Sequence, residues 1–249
     1  MNWTNEKPQQ IQVGQPANWT GNKPQSLQVG RLAVYDDFNR ADTTEPDLGT
    51  PVIGGRWIIG GIGARVPGTR GCIRSGRATT TVVGSAGTWF AITPYALGGM
   101  VTQLLMRGIW IPSGGSGAEG LLACGCGPSI EPYIVKDCVH LRFSRSSVSI
   151  DRIKNDVFTP YATQSISPEL PLNTPHLFVA KIDPDLGRVT IWVNGEFKLT
   201  YQNSAIAEVC GTYAFWESTY SHTNSTAEAA IKEVSAYARW GWQNAPSRD

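Results

Sequence analysis

The sequence predicts an all-β fold of two antiparallel sheets packed as a sandwich, with an extended arm at its N-terminus. Three observations predict it. Residues 176–201, HLFVAKIDPDLGRVTIWVNGEFKLTY, read as three consecutive strands, in which Asp183-Pro184-Asp185-Leu186-Gly187 is turn chemistry and Asn194-Gly195 is a two-residue hairpin signal. Both Asn and Gly tolerate the positive φ of a type I′ turn. The chain of 249 residues carries 27 Gly and 16 Pro, which suits many short strands joined by tight turns. Long windows free of Gly and Pro, which helices need, are scarce.

Residues 2–17 recur as residues 18–33. Asn2-Trp3-Thr4 returns as Asn18-Trp19-Thr20, Lys7-Pro8-Gln9 as Lys23-Pro24-Gln25, and Gln12-Val13-Gly14 as Gln28-Val29-Gly30. Each copy offers one Trp and two aliphatic residues against a backbone ordering cost of roughly 1–2 kcal/mol per residue, so neither copy has a core of its own. The arm, residues 1–31, is therefore a linker or takes its order from another molecule. The docking reading gives each copy a Trp anchor (Trp3, Trp19), a rigid Lys-Pro element (Lys7-Pro8, Lys23-Pro24) and a short extended stretch (around Val13 and Val29) able to join a sheet edge.

The sandwich is expected over residues 32–242, followed by a polar tail, 243–249. It opens with a strand at residues 32–38 and a Gly/Pro loop at 44–55. Strands are expected at 57–62, 72–83, 88–92, 101–111, 120–126, 139–143 and 148–153. Residues 160–175, with four prolines, show no strand pattern. After the meander a strand is expected at 205–216, a polar loop at 217–226 and a closing strand at 229–240.

Within the meander a two-residue turn at Asn194-Gly195 sets Trp192 opposite Phe197 and Thr190 opposite Leu199, with Val189, Ile191 and Val193 on the other side. Apolar residues on both sides call for a core beneath one face and a cover, groove or partner on the other.

Formal net charge is +1, which gives no general attraction to nucleic acid. Arg65, Arg70, Arg74 and Arg77 cluster in one Gly-rich segment and are either exposed strand and loop positions or a basic contact patch. No run of 18 or more apolar residues provides a membrane span, and the first thirty residues are too polar for a signal peptide. The five cysteines leave three readings open. Cys124, Cys126, Cys138 and His140 could converge on a metal, Cys126 and Cys138 could form a disulfide, or the thiols are small core residues.

The segment Phe178-Val179-Ala180 and Gly187-Arg188-Val189-Thr190-Ile191-Trp192-Val193-Asn194-Gly195-Glu196 resembles the meander of concanavalin A-like and laminin G-like jelly rolls. Asp36-Asp37-Phe38-Asn39-Arg40-Ala41-Asp42, with Leu48-Gly49 and Trp57, is similar to their opening strand. Ile231-Lys232-Glu233-Val234-Ser235-Ala236-Tyr237-Ala238 is similar to their closing strand. The opening segment also resembles that of minor tail proteins of bacteriophages that infect actinobacteria. That resemblance implies a virion component at the tail tip or capsid surface, docked on other virion proteins through its arm.

Chemistry leaves a thin trace. The β-glucanases of this superfamily use an E-x-D-x-E strand, and no such triplet occurs. No G-x-S-x-G elbow or phosphate loop is present, and GGIGAR at residues 60–65 lacks a following helix. The calcium cluster of the superfamily's lectins is not recognisable. No catalytic residue, metal or cofactor is assigned. Trp216, Tyr220 and His222 flank a polar loop and are the candidates for stacking on a sugar ring, with packing against the sandwich as the alternative. The expectation is a non-enzymatic virion protein whose jelly roll touches host-envelope glycans. A lectin outside a virion and a degenerate glycosidase are its rivals, and homo-oligomerisation is compatible with each.

Overall fold

The computed structural model describes residues 30–44, 47–54, 57, 59–62, 71–79, 89–97, 101–113, 120–127, 134–135, 137–220 and 229–240. Their elements, in order, are β1 (Arg31–Asp36), β2 (Ile59–Ile62), β3 (Cys72–Ile73), β4 (Ala78–Thr79), β5 (Trp89–Ala96), β6 (Val101–Pro112), β7 (Gly120–Gly127), β8 (Ile134–Val135), β9 (Cys138–Phe143), β10 (Ser147–Lys154), β11 (Val157–Ser165), β12 (His176–Asp183), a 3-10 turn (Pro184–Leu186), β13 (Arg188–Val193), β14 (Glu196–Gln202), α1 (Ser204–Ala207), β15 (Tyr213–Tyr220) and β16 (Ala229–Trp240). They form two sheets. One runs β14-β13-β12-β6-β16-β4-β3, with β1 also on β16, and the other β11-β10-β9-β7-β15-β5-β2-β8. Pairing is antiparallel apart from the short β2–β8 contact and a bridge from Asp47 to Cys72. The all-β antiparallel sandwich expected from the sequence is the observed fold.

The sheets meet through the apolar residue of each strand's in-out alternation. Leu104, Met106, Phe178, Ala180, Ile182, Val189, Ile191 and Val234 from the first sheet pack with Val139, Leu141, Phe143, Val148, Ile150, Ala214 and Trp216 from the second. Phe178 and Phe143 bridge the layers with ring centroids 4.8 Å apart. That contact needs Gly108, which pairs with Phe178, because a Cβ there would lie 2.3 Å from the Phe178 ring. Burying a side chain of this size stabilises the fold by about 2–3 kcal/mol.

The meander stands as expected, with φ of 51° at Asn194 and 83° at Gly195. Asn194 also fixes the entry to β12, since its Oδ1 accepts from Leu177 N at 2.9 Å and its Nδ2 lies 3.2 Å from His176 Nδ1. Trp192 is opposite Phe197, but Thr190 is opposite Thr200 and Leu199 is opposite Ile191. A β-bulge between Ile191 and Trp192 shifts the register by one, so Leu199 joins the core side.

Four expected extents differ. Residues 72–83 are not one strand, since β3 and β4 pair across a turn between Arg74 and Arg77, and residues 217–220, expected as loop, continue β15. Pro160 lies inside β11, which begins before the proline stretch. An edge strand accommodates it because one side of its backbone has no ladder to serve, and the irregularity at Ile150/Asp151 falls beside it. Residues 205–216 are not one strand: Asn203 caps α1 by accepting from Ala205 N at 2.9 Å, and β15 starts only at Tyr213.

The opening motif is a buried polar node. The Asp36 carboxylate, fully buried, accepts from Phe38 N at 3.0 Å, from Arg40 Nη1 and Nη2 at 2.9 and 2.6 Å, and from Trp57 Nε1. Arg40 also donates to Leu48 O at 3.0 and 2.7 Å. Phe38 stacks on Trp57, which meets Trp216 edge-on at 6.0 Å. The residues that resemble a family signature thus hold the first strand to the core.

Candidate functional site

The second sheet has a face turned away from the core, and strand alternation decides what stands on it. In β9, Val139, Leu141 and Phe143 enter the core, so Cys138, His140 and Arg142 face outward. In β10, Val148 and Ile150 enter the core, and Ser149, Asp151 and Ile153 face outward. Register aligns Asp151 with His140, Ser149 with Arg142, and Ile153 with both Cys138 and Phe158. On the other side of β9, His140 is opposite Gly125, which is opposite Phe215.

These residues form one polar cluster in an aromatic frame. Arg142 Nε and Nη2 donate to Asp151 Oδ2 and Oδ1 at 2.7 and 3.1 Å. His140 Nδ1 lies 3.6 Å from Asp151 Oδ2, and Ser149 Oγ lies 3.5 Å from the same oxygen. His140 is stacked on Phe215, with centroids 6.2 Å apart, and meets Phe158 edge-on at 5.5 Å. Gly125 makes room for this, since a Cβ there would come within 2.8 Å of the Phe215 ring.

Burial alone would raise the pKa of Asp151. The nearby His140 ring and the hydrogen bonds and positive charge of Arg142 outweigh it and hold the carboxyl below its usual range. Asp151 is therefore an ionised anchor at neutral pH and no proton donor. Its partner reaches the surface: the Arg142 side chain is 44% exposed and Phe158 is 37% exposed. A guanidinium fixed by a buried carboxylate, with N–H groups left over and an aromatic ring nearby, can bind a polyhydroxylated ligand through hydrogen bonds and stacking.

The residues singled out from the sequence fall elsewhere. Trp216 is fully buried on the core side of β15, against Trp57, so it presents no ring face to a sugar. That corrects the expectation of a stacking platform: Phe215, not Trp216, faces outward. Tyr220 ends β15 with its backbone paired to Gly120, and its side chain, like His222 as a whole, lies outside the described residues. The arm residues Trp3, Lys7, Pro8, Val13, Trp19, Lys23, Pro24 and Val29 also lie outside them, as do Arg65 and Arg70. Arg74 and Arg77 are exposed at the β3–β4 turn.

Cys126 is opposite Val139 and points into the core, whereas Cys138 and His140 stand on the other side of β9, so those three form no metal-binding group among the described residues, and the Cys124 side chain lies outside them. No disulfide joins Cys126 and Cys138. Cys126 meets Cys210 instead, and that contact together with burial pushes the Cys210 thiol well above its usual range.

His140 and Arg142 were legible as the outward half of a V-H-L-R-F alternation, and Ser149 and Asp151 as that of V-S-I-D. Both segments read as core strands because the apolar half alone identifies a strand.

Compared by sequence, the chain matches no protein-family model and no curated protein. Compared by structure, it is similar to the carbohydrate recognition domain of Emp47p, with a TM-score of 0.53 at 10% identity over 83% of this chain and 97% of that one. It is similar to a Bacillus subtilis protein of unknown function with a galectin-like fold, with a TM-score of 0.53 at 11% identity over 85% of this chain and 99% of that one. It is also similar to the Bacillus licheniformis β-glucanase, with a TM-score of 0.51 at 13% identity over 85% of this chain and all of that one (100%). At such identities the likeness establishes the fold alone, the jelly roll shared by lectins and glucanases.

Proposed function

We propose that this chain is a non-enzymatic glycan-binding jelly-roll module. Its binding face is the outward side of the second sheet, around the exposed Arg142 and Phe158. The observation that carries this reading is the half-exposed Arg142 guanidinium, held in place by the buried Asp151 carboxylate. The lectin-like neighbours, among them the Emp47p carbohydrate recognition domain, support it as relatives in fold. Glycan-array binding with the full chain tests it. Binding should fall at least tenfold in Arg142→Ala, measured where circular dichroism shows the variant folded, since the change removes exposed donors and also two hydrogen bonds to the buried Asp151 carboxylate. Binding that is unchanged in both Arg142→Ala and Phe158→Ala would move the site elsewhere.

Hydrolysis is the weaker reading. A glycosidase places two carboxyl groups about 5–9.5 Å apart. Among the described residues, the acidic strand position of this sheet next in line from Asp151 by backbone register is Glu217, whose row runs Glu217, Ala123, Arg142. That is three strands away, about 14 Å at ~4.8 Å per strand. Asp151, held ionised, is also unsuited to protonating a leaving group.

The place of action belongs to the same proposal: a bacteriophage particle, as a minor tail or capsid-surface protein held by the arm. The resemblance of residues 36–42 and the coreless 16-residue repeat support it. Deleting residues 2–29 should leave a folded domain that no longer enters particles, and normal incorporation would remove the docking role.

A further inference from the structure

The first sheet also has an outward face, and its composition does not suit open water. Register sets Phe197, Trp192, Val179, Arg107, Ser235 and Tyr35 side by side across β14, β13, β12, β6, β16 and β1. The bridge from Tyr35 adds Ile53 at the far end. Phe197 and Ile53 are 58% and 41% exposed at the two ends, and Leu105 and Ile109 stand one pair to either side of Arg107. A solvent-facing antiparallel sheet normally carries polar residues at such positions. Here the polar groups around the centre are Ser235, Lys181, which pairs with Asp183, and the ion pair of Arg107 Nη1 with Glu233 Oε1 at 3.8 Å, and Arg107 Nε is buried with no hydrogen-bond partner.

We propose that this face is the contact between two copies of the chain, packed back to back about a two-fold axis. The first reason is size. A row six strands wide at ~4.8 Å and about three pairs deep at ~6.8 Å covers roughly 590 Å², to which Ile53 adds at one end, approaching the ~800 Å² per partner of a stable interface. The second is composition, since aromatic residues and Arg at the centre with few Lys or Glu are what such interfaces select.

The third reason is charge and decides the occupant. Arg107 and Glu233 lie side by side, so the same patch turned over can set Arg107 against the second copy's Glu233 and supply Arg107 Nε with an acceptor. A partner of a single charge sign would leave one of the two opposed. Packed this way, the Arg142 faces of both copies point outward in opposite directions. If that face binds glycan, as proposed above, the pair is bivalent and gains avidity on a repetitive surface. The contact itself does not depend on that reading.

Sedimentation velocity of the full chain across about 1–100 μM tests the contact without any glycan. The expected result is a mass of two chains that falls to one on dilution. Phe197→Asp, at an exposed position, should raise the dissociation constant at least tenfold with an unchanged circular dichroism spectrum. Arg107→Glu should weaken the pair, and Arg107→Glu with Glu233→Arg should restore it. A single-chain mass at every concentration would overturn the proposal. So would an assembly that persists unchanged in both Phe197→Asp and Trp192→Asp, since it would be held by the arm or another surface.

Discussion

Arg142 reaches diagonally across the β9–β10 ladder and holds Asp151 with two nitrogens, at 2.7 and 3.1 Å, although its ladder partner is Ser149. The pair divides labour by depth, because the carboxylate is buried and the guanidinium reaches solvent. Fixing a donor group before a ligand arrives lowers the entropy lost on binding, which is what a preorganised site requires.

The pH dependence follows from the sign of the Asp151 shift. Its folded pKa lies below the unfolded value of about 3.9, so its contribution to stability is present above that pH and is lost as the pH falls through the folded value. Asp151→Asn should be less stable than the parent at pH 7, by about 1–3 kcal/mol, and the gap should close in acid. Urea unfolding at both pH values measures it; a gap that stays constant would mean that the carboxyl is not ionised in the fold.

Arg40→Met should be among the costlier single changes. It leaves the buried Asp36 carboxylate with Phe38 N and Trp57 Nε1 alone, and stranding a buried charge costs about 3–5 kcal/mol. Tryptophan fluorescence during urea unfolding reports the loss. A change under about 1 kcal/mol would show that water reaches the carboxylate in the variant.

Trp216→Ala and Trp216→Phe separate a packing role from a binding role. The Ala variant should lose about 3–5 kcal/mol of stability through the cavity left beside Trp57. The Phe variant should bind glycan as the parent does. A Phe variant with a parental melting temperature and no binding would return Trp216 to the site.

The legible parts of the fold are those in which neighbours in sequence are neighbours in space. The β12–β14 meander follows from one turn at Asn194-Gly195 and from alternating apolar residues, and its backbone there has the expected positive φ. The bulge at Ile191/Trp192 was not legible, because one unpaired residue changes no composition. β11 was hidden by Pro160, whose missing N–H disqualifies a central strand but not an edge, and sequence does not say which strand is at the edge.

The chain alone determined the sandwich, the closing of the meander, the absence of an E-x-D-x-E strand and the repetition in its first 33 residues. Only the tertiary structure decided that Trp216 faces the core while Phe215 faces outward, that Asp36 is buried under Arg40 and Trp57, and that His140, Arg142 and Asp151 share a face. The physical reason is that alternation assigns residues to two sides of a strand without naming the sides. Which side meets the other sheet is fixed by the strands that pair and pack across it, and those come from distant parts of the chain.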